Sequence, residues 1–308
     1  MKLSIVTTMY FSSSYLKDFY TRICAATQKI TDDFEIIFVN DGSPDDALDI
    51  AISLYEKDKR VKIIDLSRNF GHHKAMMTGL SHAKGDLIFL IDCDLEEEPE
   101  LLKGFYEKYV SSEVDVVFGV QQRRKGELFE CISGDIFYTL FNFLSTYPVP
   151  KNIITARLMS MRYVKALVSY KEQESFMAGL WAITGFKQVP IVVNKHSKGN
   201  STYDLRRKIA IFVNSITSFS NKPLIYIFYL ACFILFLSSI AALHLIIKRV
   251  FFGVLLAGWP STMVSIWMLG GLTIFCIGLV GIYLSKIYTE TKQRPYTLIR
   301  NIYENVEQ

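Results

Sequence analysis

Up to Tyr203, short apolar runs alternate with longer amphipathic stretches. Leu3–Met9, Phe34–Val39, Val61–Leu66, Leu87–Ile91 and Val114–Gly119 are near-continuous apolar segments. Runs of this length and composition predict strands buried on both faces of a parallel sheet. Between them the spacing predicts a helix over about 15–30, a second ending near Lys57 and a third ending near Ala83. The serines at 12–14 offer an N-cap to the first, and Ser43-Pro44 opens the second. Strand and helix alternating in units of about thirty residues predict an α/β fold with a doubly wound, mostly parallel sheet. Further on, Phe176–Trp181 reads as a helix and Gln188–Val193 as an edge strand around Pro190.

After Leu205 the pattern changes. Ile209, Phe212, Val213, Ile216 and Phe219 share one helical face behind Arg206-Arg207-Lys208, which predicts an interfacial helix. Leu224–Ile247 is uncharged over 24 residues, about 36 Å as helix and long enough to span a bilayer. Lys248-Arg249 is expected to end that helix. Gly258-Trp259-Pro260 interrupts the next uncharged stretch, so a second span is expected over about Met263–Leu284, with 250–260 an interfacial or re-entrant turn. The expected layout is a soluble domain over 1–203, an interfacial helix over 204–222, a two-span hairpin over 223–285 and a tail over 286–308. Basic residues flank the outer ends of the hairpin, and only Lys248 and Arg249 sit between the spans. The positive-inside rule therefore puts the soluble domain and the C-terminus in the cytoplasm.

The net charge of +4 does not imply a nucleic-acid partner, and half of the 308 residues are hydrophobic. The five cysteines have no C-x-x-C spacing and are expected to be reduced. Leu3–Met9 is too short for the apolar core of a secretory signal. No G-x-G-x-x-G or G-K-[ST] is present, which removes support for a dinucleotide enzyme or a P-loop NTPase.

The candidate chemistry lies at the strand ends. Ligands of open α/β sheets bind outside the carboxyl ends of the strands, where this chain has Tyr10, Asp41, Asn69, Asp92 and Asp94. Alternation along extended backbone would turn Asp92 and Asp94 to one side and Cys93 to the other. Two carboxylates at that spacing suit Mg²⁺ or Mn²⁺, which keeps its other positions for phosphate oxygens and water. The plainer reading is an acidic helix start.

The succession V-x-x-x-Y, N-D-G-S, S-R-N-F-G-H and A-K-G-D-L-I-F-L-I-D-C-D-L-E-E-E-P-E resembles family 2 glycosyltransferases. Within them it resembles the polyisoprenyl-phosphate group of dolichol-phosphate mannose synthases and bactoprenol glucosyltransferases. That resemblance covers nearly the whole chain. It implies a GT-A nucleotide-sugar domain, an interfacial helix and two transmembrane helices in the bacterial inner membrane. It also implies an inverting transfer of a hexose from a nucleoside-diphosphate sugar, expected to carry UDP, to undecaprenyl phosphate for cell-surface glycans. A homo-oligomer is implied as well.

The resemblance further implies roles. Asp41 would meet the nucleotide base, with Thr8 and Tyr10 lining the pocket and Asn69 and His72 close by. Asp92 and Asp94 would be the metal and ribose-diphosphate pair, with Glu96 a third metal ligand. Asp94 and Arg157, the latter in a retained R-L-M, would be catalytic. Arg123 and Arg124, then Lys198, Ser201 and Tyr203 in a loop similar to R-x-x-G-x-S-K-Y, would hold the acceptor phosphate.

Departures from the pattern are specific. Thr8 replaces a proline, Phe11-Ser12 replaces Asn-Glu, Asn40 replaces the first Asp of D-D-G-S, and Thr155 stands where relatives carry an Asp before R-L-M. The last keeps a second acceptor open, a sugar hydroxyl of a lipid-linked glycan.

Overall fold

The computed structural model describes residues 1–121, 139–144, 148–173, 177–193, 213, 216, 217, 220–252 and 258–305. Two compact units emerge. One comprises Met1–Leu140, Tyr147–Leu205 and Arg294–Gln308, the other Phe141–Thr146 and Arg206–Gln293.

In the first unit the chain runs β1 (Leu3–Met9), α1 (Leu16–Gln28), β2 (Phe34–Asn40), α2 (Ala47–Lys57), β3 (Val61–Leu66), α3 (His72–Ser81), β4 (Leu87–Leu90), α4 (Leu101–Ser112) and β5 (Val116–Gln121). It continues through β6 (Ile153–Ser160), α5 (Met161–Val168), α6 (Met177–Ile183) and β7 (Gln188–Val193). These strands and β8 (Ile299–Tyr303) form one eight-stranded sheet in the order β7-β5-β6-β4-β1-β2-β3-β8. The β1–β2, β1–β4, β2–β3 and β5–β7 pairs are parallel, while β6 runs antiparallel to both β4 and β5. All seven residues of β1 and of β2 are buried, as their continuous apolar runs require.

Both faces of the sheet are covered. On one, Leu16, Phe19 and Ile23 of α1, Ala47 and Ala51 of α2, and Leu102 and Phe105 of α4 join Ile5, Phe38 and Phe89 in a continuous core. On the other, α3 lies so close at Gly79 that a Cβ there would come within 2.5 Å of Val6 and 2.8 Å of Val39. That contact seats α3, and with it His72 at its first position, beside β1.

Three elements differ from the sequence-based expectation. Ile153–Ser160, for which the sequence pattern predicts no element, forms β6 despite carrying an arginine. The acidic strand ends at Leu90, so Asp92–Glu97 is a turn and not extended backbone. Residues 299–303, expected within a tail, pair antiparallel with β3.

In the second unit α7 (Lys222–Phe252) runs through Lys248-Arg249 without a break. A charged pair ends an apolar stretch but leaves helical backbone hydrogen bonds intact. The following helix, α8 (Trp259–Thr291), has Pro260 in its first turn and extends beyond Met263–Leu284 at both ends. Lys222–Ile240 and Ser265–Thr291 are long and apolar enough to cross a membrane, with mean hydropathy 2.2 and 2.0 and none of either stretch buried within the protein. Most of the expected interfacial helix falls outside the described residues.

The end of β8 reinforces the sheet edge. Arg300 donates to the Ser67 carbonyl at 2.7 Å and stands 3.6 Å from Asp65, which is 1% exposed. Asp65 in turn accepts from the Asn40 side-chain amide at 2.8 Å, and Asn40 Oδ1 accepts from the Ser43 N–H at 3.0 Å. Asn40 therefore has a physical reason to replace aspartate: an amide can donate to Asp65 and accept from Ser43 at once, whereas an ionised carboxylate can only accept.

Asn40→Asp should bury two facing carboxylates that cannot both ionise, raising the pair's folded pKa above the unfolded carboxylate value of about 4. The destabilisation should be about 2 kcal/mol at neutral pH and should fade as pH falls toward that value, because the folded pair binds the extra proton. Urea denaturation of wild type and variant across pH checks this; a pH-independent difference contradicts it.

Candidate active site

The parallel register Met9↔Asn40↔Asp65 brings the ends of β1, β2 and β3 to one edge, with β4 ending beside them. Beyond β1, Tyr10 is 49% and Phe11 62% exposed, their rings meeting edge to face. Phe11 takes a left-handed φ of 53° and donates its N–H to the Ser43 hydroxyl at 2.8 Å. Gly42, at φ 63°, has no room for a side chain, since a Cβ would meet the Asn69 nitrogen at 2.5 Å and the Arg68 carbonyl carbon at 2.6 Å. The glycine of N-D-G-S is thus fixed by close approach of the 68–69 backbone.

Asp41 is 2% exposed, and its two oxygens accept from the Phe70 N–H at 2.7 Å and the Gly71 N–H at 3.1 Å. Burial pushes its carboxyl above the usual range, against the opposing pull of those two donors. The side chain expected to meet a base is therefore committed to holding the loop that leads into α3. Asn69 is exposed on that loop.

The structure joins three predicted residues directly. The Thr8 hydroxyl lies 3.0 Å from His72 Nδ1, and His72 Nε2 lies 3.4 Å from Asp92 Oδ1. Thr8 is buried, and the His72 side chain is 46% exposed. A hydroxyl in place of proline fixes the orientation of an imidazole that faces the acidic turn.

Within that turn Asp92 and Asp94 are half-buried while Cys93 is buried, its thiol donating to the Thr8 carbonyl at 3.0 Å. The expected in–out alternation survives in burial although the backbone is not a strand. Burial, reinforced by the charges of Asp92 and Asp94, pushes the Cys93 thiol up to about 12, so it stays protonated. Leu95 takes φ 62°, and the Glu96 N–H donates to Asp94 Oδ1 at 2.9 Å.

Among the described residues no group of three His, Cys, Asp or Glu side chains converges as a metal site, so Glu96 does not complete a cluster with Asp92 and Asp94. Two half-buried carboxylates still fit Mg²⁺ or Mn²⁺, which takes one or two protein carboxylates and fills its shell with phosphate and water.

Arg157, expected to be catalytic, is 1% exposed. Its guanidinium lies over the Trp181 ring and donates to the carbonyls of Thr155 at 3.2 Å and Ile154 at 3.3 Å. Burial pulls its pKa below the arginine range, with the phenol of Tyr163 and the carboxylate of Glu97 favouring the charged form. These contacts make Arg157 a link between β6 and α6. Three loop-shaping contacts carried no sequence signal: Ser12 accepts from the Tyr10 N–H at 2.8 Å, Asp45 from the Ser13 N–H at 2.9 Å, and Ser43 from the Phe11 N–H. The burial of Glu97 carried none either. Arg123, Arg124, Lys198, Ser201 and Tyr203 lie outside the described residues.

Residues 4–168 match the family described as Glycosyl transferase family 2. A protein described as "Putative glycosyltransferases" from Mycobacterium tuberculosis is 60% identical over 303 residues, covering 98% of this chain and 89% of the relative. Bactoprenol glucosyl transferase of Shigella phage SfX is 31% identical over 303 residues, covering 98% and 99%. Among solved structures, mannosyl-3-phosphoglycerate synthase from Rubrobacter xylanophilus shares the fold with a TM-score of 0.50 at 18% identity, over 71% of this chain and 73% of that one.

Asp41→Ala should strand the Phe70 and Gly71 N–H groups in a buried place, at a cost of about 2–3 kcal/mol. Hydrogen exchange at those two amides should quicken well beyond that of β1 amides. Unchanged protection at 70 and 71 would show that Asp41 does not hold the loop.

Proposed function

Because the chain belongs to glycosyl transferase family 2, we propose that it moves a hexose from a nucleoside-diphosphate sugar, with UDP the expected carrier, to a polyprenyl phosphate, with inversion at the anomeric carbon. The observation that carries this reading is the reach of the 31% match to a bactoprenol glucosyl transferase, which spans the sugar-transfer unit and both long apolar helices. Those helices would hold the enzyme at the membrane, where a lipid acceptor resides.

Asp92 and Asp94 would hold Mg²⁺ or Mn²⁺, which when bound supplies positive charge against the leaving diphosphate. Tyr10, exposed at the end of β1, would stack on the base, and His72, bonded to Thr8, would donate to a phosphate oxygen. Asp41 acts behind them by fixing the 70–71 backbone.

Thr155 in place of an acid is compatible with a phosphate acceptor. A hydroxyl acceptor calls for a general base. A phosphate monoester, with a second pKa of about 6, is already mostly dianionic and nucleophilic at about pH 7. Arg123, Arg124, Lys198, Ser201 and Tyr203 are the residues proposed to hold that acceptor phosphate in line.

Connectivity supports a hairpin that enters and leaves on one side. β8 follows the second apolar helix and pairs with β3, so chain on both sides of the helices belongs to the same sheet. With cations concentrated outside the pair of spans, the catalytic unit is assigned to the cytoplasmic face of the inner membrane.

The test offers undecaprenyl phosphate as sole acceptor to purified full-length protein with Mg²⁺ or Mn²⁺ and a panel of labelled nucleotide sugars. Label should enter a chloroform-soluble, mild-acid-labile product, and EDTA should abolish transfer. Asp94→Asn should lose at least about a hundredfold in rate while staying folded. Nucleotide binding without transfer to this lipid would overturn the acceptor assignment and favour a glycan hydroxyl.

A further inference from the structure

Glu97 stands apart from its acidic neighbours. Asp92, Asp94, Glu96 and Glu98 are partly exposed, whereas Glu97 is 0% exposed. Its carboxylate oxygens accept from the backbone N–H groups of Thr155 at 3.2 Å and Ala156 at 2.8 Å. A buried carboxylate is costly unless hydrogen-bonded or charge-compensated. Here it has two backbone donors and lies within the electrostatic reach of buried Arg157.

The location explains the arrangement. β4 ends at Leu90, opposite Arg157 of β6, while β6 extends further in the direction of Ile153. Past the end of β4, a side chain from the acidic turn bonds the β6 backbone in place of a neighbouring strand. The turn between Asp94 and Glu97 is short and closed on itself, with Leu95 left-handed and the Glu96 N–H bonded to Asp94. Fixing Glu97 therefore fixes where Asp94 stands.

We propose that Glu97 is a positioning residue: it tethers the acidic turn to β6 and so sets the Asp92–Asp94 pair in place relative to the strand that carries Thr155. This rests on the reading of Asp92 and Asp94 as the metal and diphosphate pair. Glu97 itself touches neither donor nor acceptor; it acts through the backbone of the turn.

The test measures UDP binding by titration calorimetry, with and without Mn²⁺, on the full-length wild type, Glu97→Gln and Glu97→Asp. Glutamine keeps the volume but can accept only one of the two N–H bonds well, and aspartate keeps the charge on a shorter arm. In Glu97→Gln the Mn²⁺-dependent gain in UDP affinity should fall by about 10-fold or more, as for residues that support metal ligands, while metal-free UDP binding stays within about 2-fold. Glu97→Asp should restore part of the gain and serves as the test if the glutamine variant does not fold. A folded Glu97→Gln protein with the full Mn²⁺-dependent gain would overturn the tether. So would equal losses with and without Mn²⁺, which mark a purely structural role. A wild type that binds UDP without any Mn²⁺-dependent gain would overturn the acid-pair reading itself, and the tether with it.

Discussion

The parallel register of β1 with β2 and β4 is the constraint from which the rest follows. All seven residues of β1 are buried between two parallel neighbours, and every position along Leu3–Met9 has a partner in β2. A one-residue slip would reverse which side chains face each core. Strands locked in this way end together, so Tyr10, Asp41 and the acidic turn after β4 are delivered to one edge. Exposed polar chemistry begins where the apolar runs stop.

At that edge, buried polar groups hold the loops and half-exposed ones are left for ligands. Asp41 secures the loop before α3, Asn40 and Asp65 secure the N-D-G-S turn, and Glu97 secures the acidic turn. Tyr10, His72, Asp92 and Asp94 keep exposed surface. A site built like this can be rigid without its ligand, which favours donor binding in a preorganised geometry. By the same division Asp41, which the resemblance puts against the base, bonds the 70–71 backbone, and Arg157, which it makes catalytic, bonds the carbonyls of Ile154 and Thr155.

Much of the sheet was legible because its strands are apolar throughout and its helices are bounded by turn residues. β6 was not, because an arginine within Ile153–Ser160 argues against a buried strand; Trp181, nearby carbonyls, Tyr163 and Glu97 make that burial tolerable. β8 was hidden for a different reason: five mostly exposed residues after an apolar helix carry no core signal, and their strand character comes from pairing with β3. Residue types at the site were legible from strand ends and motif spacing, but roles were not. Nothing in three consecutive glutamates shows which one the fold will bury, since that depends on where β4 stops relative to β6.

The most direct measurement is the position of Mn²⁺ in crystals of the full-length protein grown with UDP, read from its anomalous scattering. An anomalous peak bound by Asp92 and Asp94, with the diphosphate oxygens completing its shell and the base near Tyr10, is the predicted result. A UDP molecule bound away from the carboxyl ends of β1, β2 and β4, or a diphosphate with Mn²⁺ held elsewhere, would contradict it.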